Sequence, residues 1–215
     1  MSGQGLQGLF LTFEGPDGAG KTTQIGLLAE VLTEAGYPVA RTREPGGDGI
    51  GERVRELLLH GQPCPEAELL LFAAARAQNV REVIRPALAE GKIVLCDRFT
   101  DSTVAYQGYG RGLSLDLIYR VNHFATGGLV PDRTYLFDLE AGLGLARRGA
   151  EETNRLDRET LDFHERVREG FLKCAVATPA RITVIPAEGT VTEVARLLRQ
   201  DVLRLVESRK RSETP

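Results

Sequence analysis

The chain has 215 residues, 42% hydrophobic and 27% charged, with 27 basic against 30 acidic side chains. This is the composition of one soluble globular domain over residues 1–215, and it excludes disorder over the whole length. No apolar run approaches the roughly 18–20 residues that span a bilayer, and a net charge of −3 gives no bulk attraction to nucleic acid or an anionic membrane, so neither is expected as a partner.

Residues 1–8 form a Gly-rich lead-in, too short and too poor in basic residues for a secretory signal. Residues 9–14 are a short apolar run followed by a Gly-rich turn. Residues 21–35 then show helical spacing through Ile25, Leu28 and Leu32, stopped by Gly36. A second strand is expected at 38–42 and a long helix at 65–90, broken or kinked by Pro86. A buried strand at 93–96 ends at Asp97. A helix at 116–125, a strand at 133–139, a helix at 157–177, a strand at 181–185 and a closing helix at 191–206 follow, and residues 207–215 read as a fraying tail. Five short apolar strands separated by helices predict an α/β fold with a parallel sheet covered on both faces, whose ligands sit at the carboxyl ends of the strands.

Cys64, Cys96 and Cys174 are odd in number and lack paired spacing. They read as reduced, buried or semi-buried thiols of a cytoplasmic protein. His60, His123 and His164 lie far apart and read as surface or packing residues, not as metal ligands.

Gly15-Pro16-Asp17-Gly18-Ala19-Gly20-Lys21-Thr22 fits the phosphate-loop pattern G-x-x-x-x-G-K-[ST], between a strand and a helix as that pattern requires. Its glycines let backbone N–H groups turn onto phosphate oxygens, and the helix N-terminus adds partial positive charge. Lys21 can reach the terminal phosphates of a nucleoside triphosphate, and the Thr22 hydroxyl can ligate Mg²⁺. The loop alone does not separate a kinase from a switch protein.

Further segments narrow the choice. Thr42-Arg43-Glu44-Pro45-Gly46-Gly47 follows the second strand. Asp97-Arg98-Phe99, running on through Ser102 to Ala105-Tyr106-Gln107-Gly108, follows the third, and Asn154-Arg155-Leu156-Asp157 precedes the helix containing Phe163-His164-Glu165. In this order and spacing, from about Leu9 to Leu205, the chain resembles the bacterial thymidylate kinases. The resemblance implies a phosphate-loop nucleoside monophosphate kinase fold, a five-stranded parallel sheet flanked by helices with a short lid. It also implies transfer of the γ-phosphoryl of ATP to dTMP with Mg²⁺, giving dTDP and ADP. An acceptor phosphate is already ionised at neutral pH, so the demand is for positioning and charge neutralisation, not for a general base.

At matching positions the resemblance implies roles. Residues 15–23 (Gly15, Pro16, Asp17, Gly18, Ala19, Gly20, Lys21, Thr22 and Thr23) bind ATP, with Lys21 catalytic. Asp17 contacts the acceptor sugar and helps organise the metal, although it also suits a turn-stabilising role. Arg98 holds the acceptor phosphate, a task suited to a planar guanidinium. Asp97 holds Mg²⁺ through water, or pairs with a neighbouring Arg. Phe72 and Arg76, four apart on one helix face, stack on thymine and bond its O4, unless Phe72 is simply core and Arg76 surface. Thr103 and Gln107 meet the base from the other side, Tyr106 crowds the 2′ position, and Ser102, Arg43 and Pro45 complete the dTMP wall.

Some family members carry an Arg inside the phosphate loop, where this chain has Gly18. Those with Gly take the catalytic Arg from a mobile lid, here about residues 142–158, polar and without helical periodicity in its middle. Arg155 and Arg148 are the candidates, and Arg147 is placed to pack on adenine. Family members usually form dimers through helices, for which the apolar segments 57–59 and 69–75 are suited. The competing readings are a GTPase-like switch, whose Asn/Thr-Lys-x-Asp guanine segment has no match here, and a kinase for another nucleotide or deoxynucleoside.

Overall fold

The five strands are β1 (Leu9–Glu14), β2 (Val39–Arg43), β3 (Ile93–Asp97), β4 (Arg133–Asp138) and β5 (Ile182–Pro186). They pair in parallel in the order β2-β3-β1-β4-β5. This computed structural model describes residues 8–148, 155, 156 and 158–212. The helices are α1 (Lys21–Glu34), α2 (Gly49–His60), α3 (Pro65–Asn79), α4 (Arg85–Ala89), α5 (Thr100–Thr103), α6 (Leu115–Thr126), α7 (Ala141–Arg148), α8 (Leu161–Ala177) and α9 (Val191–Ser212). Among the described residues, no helix is long and apolar enough to cross a membrane.

The central strand β1 is buried along its whole length, as a parallel strand covered on both faces must be. Its pleat sends Leu9, Leu11 and Phe13 toward α1 and α9. Phe10 packs on the other side with Val80, Ile84 and Phe99, and Glu14 ends the strand among polar partners. The carboxyl ends of β1 and β3 lie side by side, with Phe13 in register with Asp97. The loops after these two strands carry the site.

The structure departs from expectation in several places. Helix α2 was not anticipated from the Gly-rich segment before it. Asp48 caps it by accepting from the N–H groups of Ile50 and Gly51, both at 2.9 Å, while Val54 and Leu58 turn to the core. The expected helix at 65–90 divides: a π-helical turn at Val80–Ile84 precedes α4, whose first turn accommodates Pro86. A second π-helical turn, Val104–Gly110, follows α5. Residues 158–160 do not begin the helix, and Asp157 lies outside the described residues; Thr160 caps α8, accepting from the N–H of Phe163 at 3.2 Å.

Residues 207–212 are not a fraying tail but the end of α9. There Arg209 pairs with Asp132 at 2.9 Å and the Lys210 ammonium sits 4.4 Å from the centre of the Tyr37 ring. The start of the expected lid is helical too, because residues 142–148 belong to α7. Cys96 is buried and Cys174 half-buried as expected, whereas Cys64, next to the first turn of α3, is exposed.

Candidate active site

The phosphate loop joins β1 to α1. Gly20 adopts a left-handed conformation (φ 82°) immediately before the helix. Lys21 is buried, and its ammonium donates to the carbonyls of Gly15 at 3.0 Å and Pro16 at 2.8 Å. Burial, with the Arg98 cation next in weight, pulls its pKa down to about 8. The Thr22 hydroxyl donates to Asp97 Oδ2 at 2.9 Å, so the end of β3 meets the start of α1. Helix α7 lies directly on the loop. A Cβ at Gly18 would sit 2.2 Å from the Gly144 carbonyl oxygen, so no larger residue fits at position 18 in this arrangement.

Two cavities adjoin the loop. The larger, of about 830 Å³, is lined by Gly18, Lys21, Thr22, Thr23, Asp97 and Arg147, with Arg43 on its far wall. The smaller, of about 80 Å³, is lined by Pro45, Phe72, Ser102, Thr103, Tyr106 and Gln107. Asp17, Glu44, Arg55 and Arg98 belong to both walls. Arg98 stands at their junction. Its guanidinium donates to Asp17 at 2.9 Å, Gly15 O at 3.0 Å and Ser102 Oγ at 3.1 Å, and lies 5.2 Å from the centre of the Tyr106 ring. The structure thus brings Pro45, Phe72, Ser102, Thr103, Tyr106 and Gln107 of the predicted acceptor residues around one small chamber, and Gly18, Gly20, Lys21, Thr22, Thr23 and Arg147 of the predicted ATP residues around the larger one.

Other predicted residues are placed differently. Arg43 is exposed and pairs with Glu52 at 2.9 Å. Arg76 is not a surface residue. It is 1% exposed, and it donates to Glu44 (2.7 Å), Thr103 Oγ1 (2.8 Å), Asn122 Oδ1 (2.6 Å) and Phe99 O (2.8 Å). Burial pushes the Glu44 carboxyl up against the opposing pull of Arg76. Gln107 donates to Glu68 at 2.7 Å.

Arg155 is not held at the phosphate loop. It pairs with Glu68 and donates to Leu58 O at 3.3 Å, on the side of the smaller cavity. Burial opposes the charge of Glu68, but hydrogen bonds from Gln107, Arg155 and Arg111 hold its carboxyl below the usual range. Arg147 is exposed beside the larger cavity, donating to Ala187 O at 2.9 Å and Glu188 O at 3.3 Å. The side chain of Arg148, residues 149–154 and Asp157 lie outside the described residues.

Sequence reasoning missed Arg55, which donates to Pro45 O at 3.1 Å in the wall of both cavities, because it did not foresee α2. It also missed Glu14, Glu44 and Glu68, buried carboxylates whose partners lie far along the chain; Glu44, inside the Arg-Glu-Pro-Gly-Gly segment, and Glu14, in the Phe-Glu-Gly that opens the phosphate-loop segment, carried a local signal, and Glu68 carried none.

A family profile described as thymidylate kinase matches residues 13–198. The chain belongs to the thymidylate kinase family. It is similar to the thymidylate kinase of Synechococcus sp. (strain JA-2-3B'a(2-13)), 56% identical over 191 residues, or 88% of this chain and 92% of that one. It is 53% identical over 211 residues to the thymidylate kinase of Geobacter sulfurreducens, covering 92% and 99% of the two chains. The crystal structure of thymidylate kinase from Ehrlichia chaffeensis superposes with a TM-score of 0.76 at 38% identity, over 93% of this chain and 98% of that one. As a thymidylate kinase the chain is an enzyme, a nucleotide-binding transferase, and its parallel sheet with a phosphate loop is the family's fold.

Proposed function

We propose that this thymidylate kinase binds ATP in the larger cavity and dTMP in the smaller one, and transfers the γ-phosphoryl at the wall they share. The observation that carries the reading is the sharing of Asp17 and Arg98 by both cavities. A phosphoryl group passing between two bound nucleotides has to cross such a junction.

In the transfer, an ionised phosphate oxygen of dTMP forms a bond to the γ-phosphorus of ATP as the bond from phosphorus to the ADP oxygen breaks. No proton has to be removed, so the residues act by position and charge. The phosphate-loop N–H groups and Lys21 hold the β- and γ-phosphates. Arg98 holds the acceptor phosphate against the transferring group, and Asp17 on the other face of Arg98 fixes its angle and takes the sugar hydroxyl. Phe72 covers the base, Thr103 and Gln107 read its edge, and Tyr106 limits space at the 2′ carbon. Arg76, buried beneath Thr103 and in contact with neither cavity, sets that wall by holding Thr103 and Glu44 in place.

The donor set suits Mg²⁺: a hydroxyl and a carboxylate, Thr22 and Asp97, 2.9 Å apart beside Lys21, are hard oxygen ligands. Thr22 would hold the ion directly, Asp97 through water, with Asp17 helping from the acceptor side. Bound there, the ion supplies neutralising charge for the phosphates. Residues 1–215 act as one catalytic domain whose lid spans about 142–158, and the enzyme works in the cytoplasm. It pairs as a homodimer through exposed apolar side chains on α2 and α3, among them Leu57 and Leu70. Light scattering of the purified protein tests the dimer.

The deciding experiment is an acceptor panel with ATP and Mg²⁺: dTMP, dUMP, dCMP and thymidine, with products separated chromatographically. The reading expects dTDP from dTMP as the preferred reaction, abolished by chelation of Mg²⁺. Preference for thymidine or dCMP would overturn it.

A further inference from the structure

Arg98 is the only non-glycine residue among the described residues with positive φ, at 69°. That conformation is strained for a side chain with a Cβ, by about 1–3 kcal/mol, and persists only where its surroundings enforce it. The enforcement is visible. The Arg98 N–H donates to Phe13 O at 2.9 Å. The next peptide unit is held at both polar atoms. Its carbonyl, Arg98 O, accepts from the Cys96 thiol at 3.0 Å, and its N–H, that of Phe99, donates to Glu14 Oε1 at 2.8 Å. The same carboxyl accepts from Ser102 N at 3.2 Å and Ser102 Oγ at 2.5 Å. Ser102 Oγ in turn accepts from the Arg98 guanidinium at 3.1 Å. Glu14 therefore grips both the backbone that sets where Arg98 starts and the hydroxyl that sets where it ends.

We propose that Glu14 is the positioning residue of the acceptor site, acting through hydrogen-bond geometry and not through charge to hold Arg98 in place for the acceptor phosphate. The proposal rests on the reading of Arg98 given above. Glu14 is fully buried and lines neither cavity, and its hydrogen bonds all go to the Phe99–Ser102 turn. Burial and the neighbouring Asp101 push its carboxyl up to about 7, which suits a group valued for its hydrogen bonds more than its charge.

Geometry and charge separate in two conservative variants. Glu14→Gln discards the charge but keeps the reach. Its amide oxygen accepts from Phe99 N and Ser102 N, and its NH₂ donates to Ser102 Oγ. Glu14→Asp keeps the charge but withdraws the carboxylate by one bond length, about 1.5 Å. Misplacement on that scale costs up to about 10²-fold in a preorganised site. The expected result is that Glu14→Asp lowers kcat/KM for dTMP roughly 10- to 100-fold, with the KM for ATP within about twofold of the parent, while Glu14→Gln stays within about threefold on both substrates. A merely structural role would reduce the amount of active enzyme and leave the two KM values moving together. An impaired Glu14→Gln, or a Glu14→Asp indistinguishable from the parent, overturns the proposal. Arg98→Ala is assayed alongside: if it leaves dTMP kinetics intact, the assignment of Arg98 itself fails, a separate outcome from failure at Glu14.

Discussion

Arg98 and Asp17 form an ion pair of 2.9 Å between the loops after β3 and β1, in the wall that both cavities share. The carboxylate and Gly15 O orient the guanidinium before any acceptor arrives. An incoming phosphate then meets an arginine already aimed, which limits the ordering cost of binding.

Lys21 faces this pair from the phosphate loop. Replacing it with Ala removes one preorganised charge from the transferring phosphoryl, a loss of about 3–4 kcal/mol, or a few hundred-fold in rate. Turnover within tenfold of the parent, in a protein of unchanged melting temperature, would contradict the phosphate-loop assignment. The depressed pKa adds a pH signature. The free enzyme loses the Lys21 proton above about pH 8, so kcat/KM for ATP declines there. Bound phosphates raise that pKa, so kcat holds to higher pH. A kcat/KM profile flat to pH 9.5 would refute the argument.

At the base, Phe72 and Arg76 diverge in their expected behaviour despite sharing a helix face. Phe72 lines the smaller cavity, and Phe72→Ala forfeits about 1–3 kcal/mol of stacking, seen as a higher KM for dTMP with ATP unaffected. Arg76→Ala strands the buried Glu44 carboxylate, whose side chain is 2% exposed, and costs about 3–5 kcal/mol of stability. Urea denaturation showing less than 1 kcal/mol of loss would disprove that Arg76 supports the wall.

The contrast marks what was legible in the sequence. The strands, the phosphate loop and the Asp97–Arg98 turn are written in local signals: apolar runs, glycine spacing, a helix start. The small cavity's rim, Thr103, Tyr106 and Gln107, was legible only through the family resemblance, because the helical stretch that carries these residues has no apolar spacing to announce it. The Arg76–Glu44 pair joins residues 32 apart, and Arg155–Glu68 residues 87 apart. Such pairs depend on how elements cross in space, which no window of sequence records. The π-helical turns at Val80–Ile84 and Val104–Gly110 were hidden because a single i→i+5 turn inside a longer helical run has no residue pattern of its own.

Glu14 also imposes a pH dependence on stability. Facing it are Asp101 and Arg98, Lys21 from α1, Arg181 at the start of β5, and the thiols of Cys96 and Cys174. Its folded pKa of about 7 lies above the unfolded value near 4.5. Its contribution is therefore complete below pH 4.5 and disappears as pH rises through about 7. Glu14→Gln does not titrate, so its melting temperature should gain on the parent's across that window. Parallel curves from pH 4.5 to 7.5 would show that the carboxyl is not held in its protonated form.

The last expectation concerns the lid. With Gly18 in the phosphate loop, and Gly144 of α7 packed against it, no guanidinium reaches the transferring phosphoryl from within the loop. Arg155 is the proposed source, with Arg148 as its rival. In this structure Arg155 is latched to Glu68, whose carboxyl also holds Gln107 at the base wall. Each turnover then requires Arg155 to leave Glu68 and swing toward the larger cavity, a rearrangement of the kind that gates many kinases. An arginine acting on charge that spreads only as the phosphoryl moves lowers kcat and kcat/KM together when removed, with little change in dTMP binding. An arginine finger contributes on the order of 10³–10⁵ in related chemistry, and with Lys21 and Arg98 sharing the charge here, Arg155→Ala is expected to slow transfer by about 10²–10³. Single-turnover quench flow separates that step from product release. If Arg155→Ala and Arg148→Ala both transfer at the parent rate, the lid supplies no catalytic charge. If Arg155→Ala instead raises only the KM for dTMP, its work is done at Glu68 and Gln107, where the structure holds it.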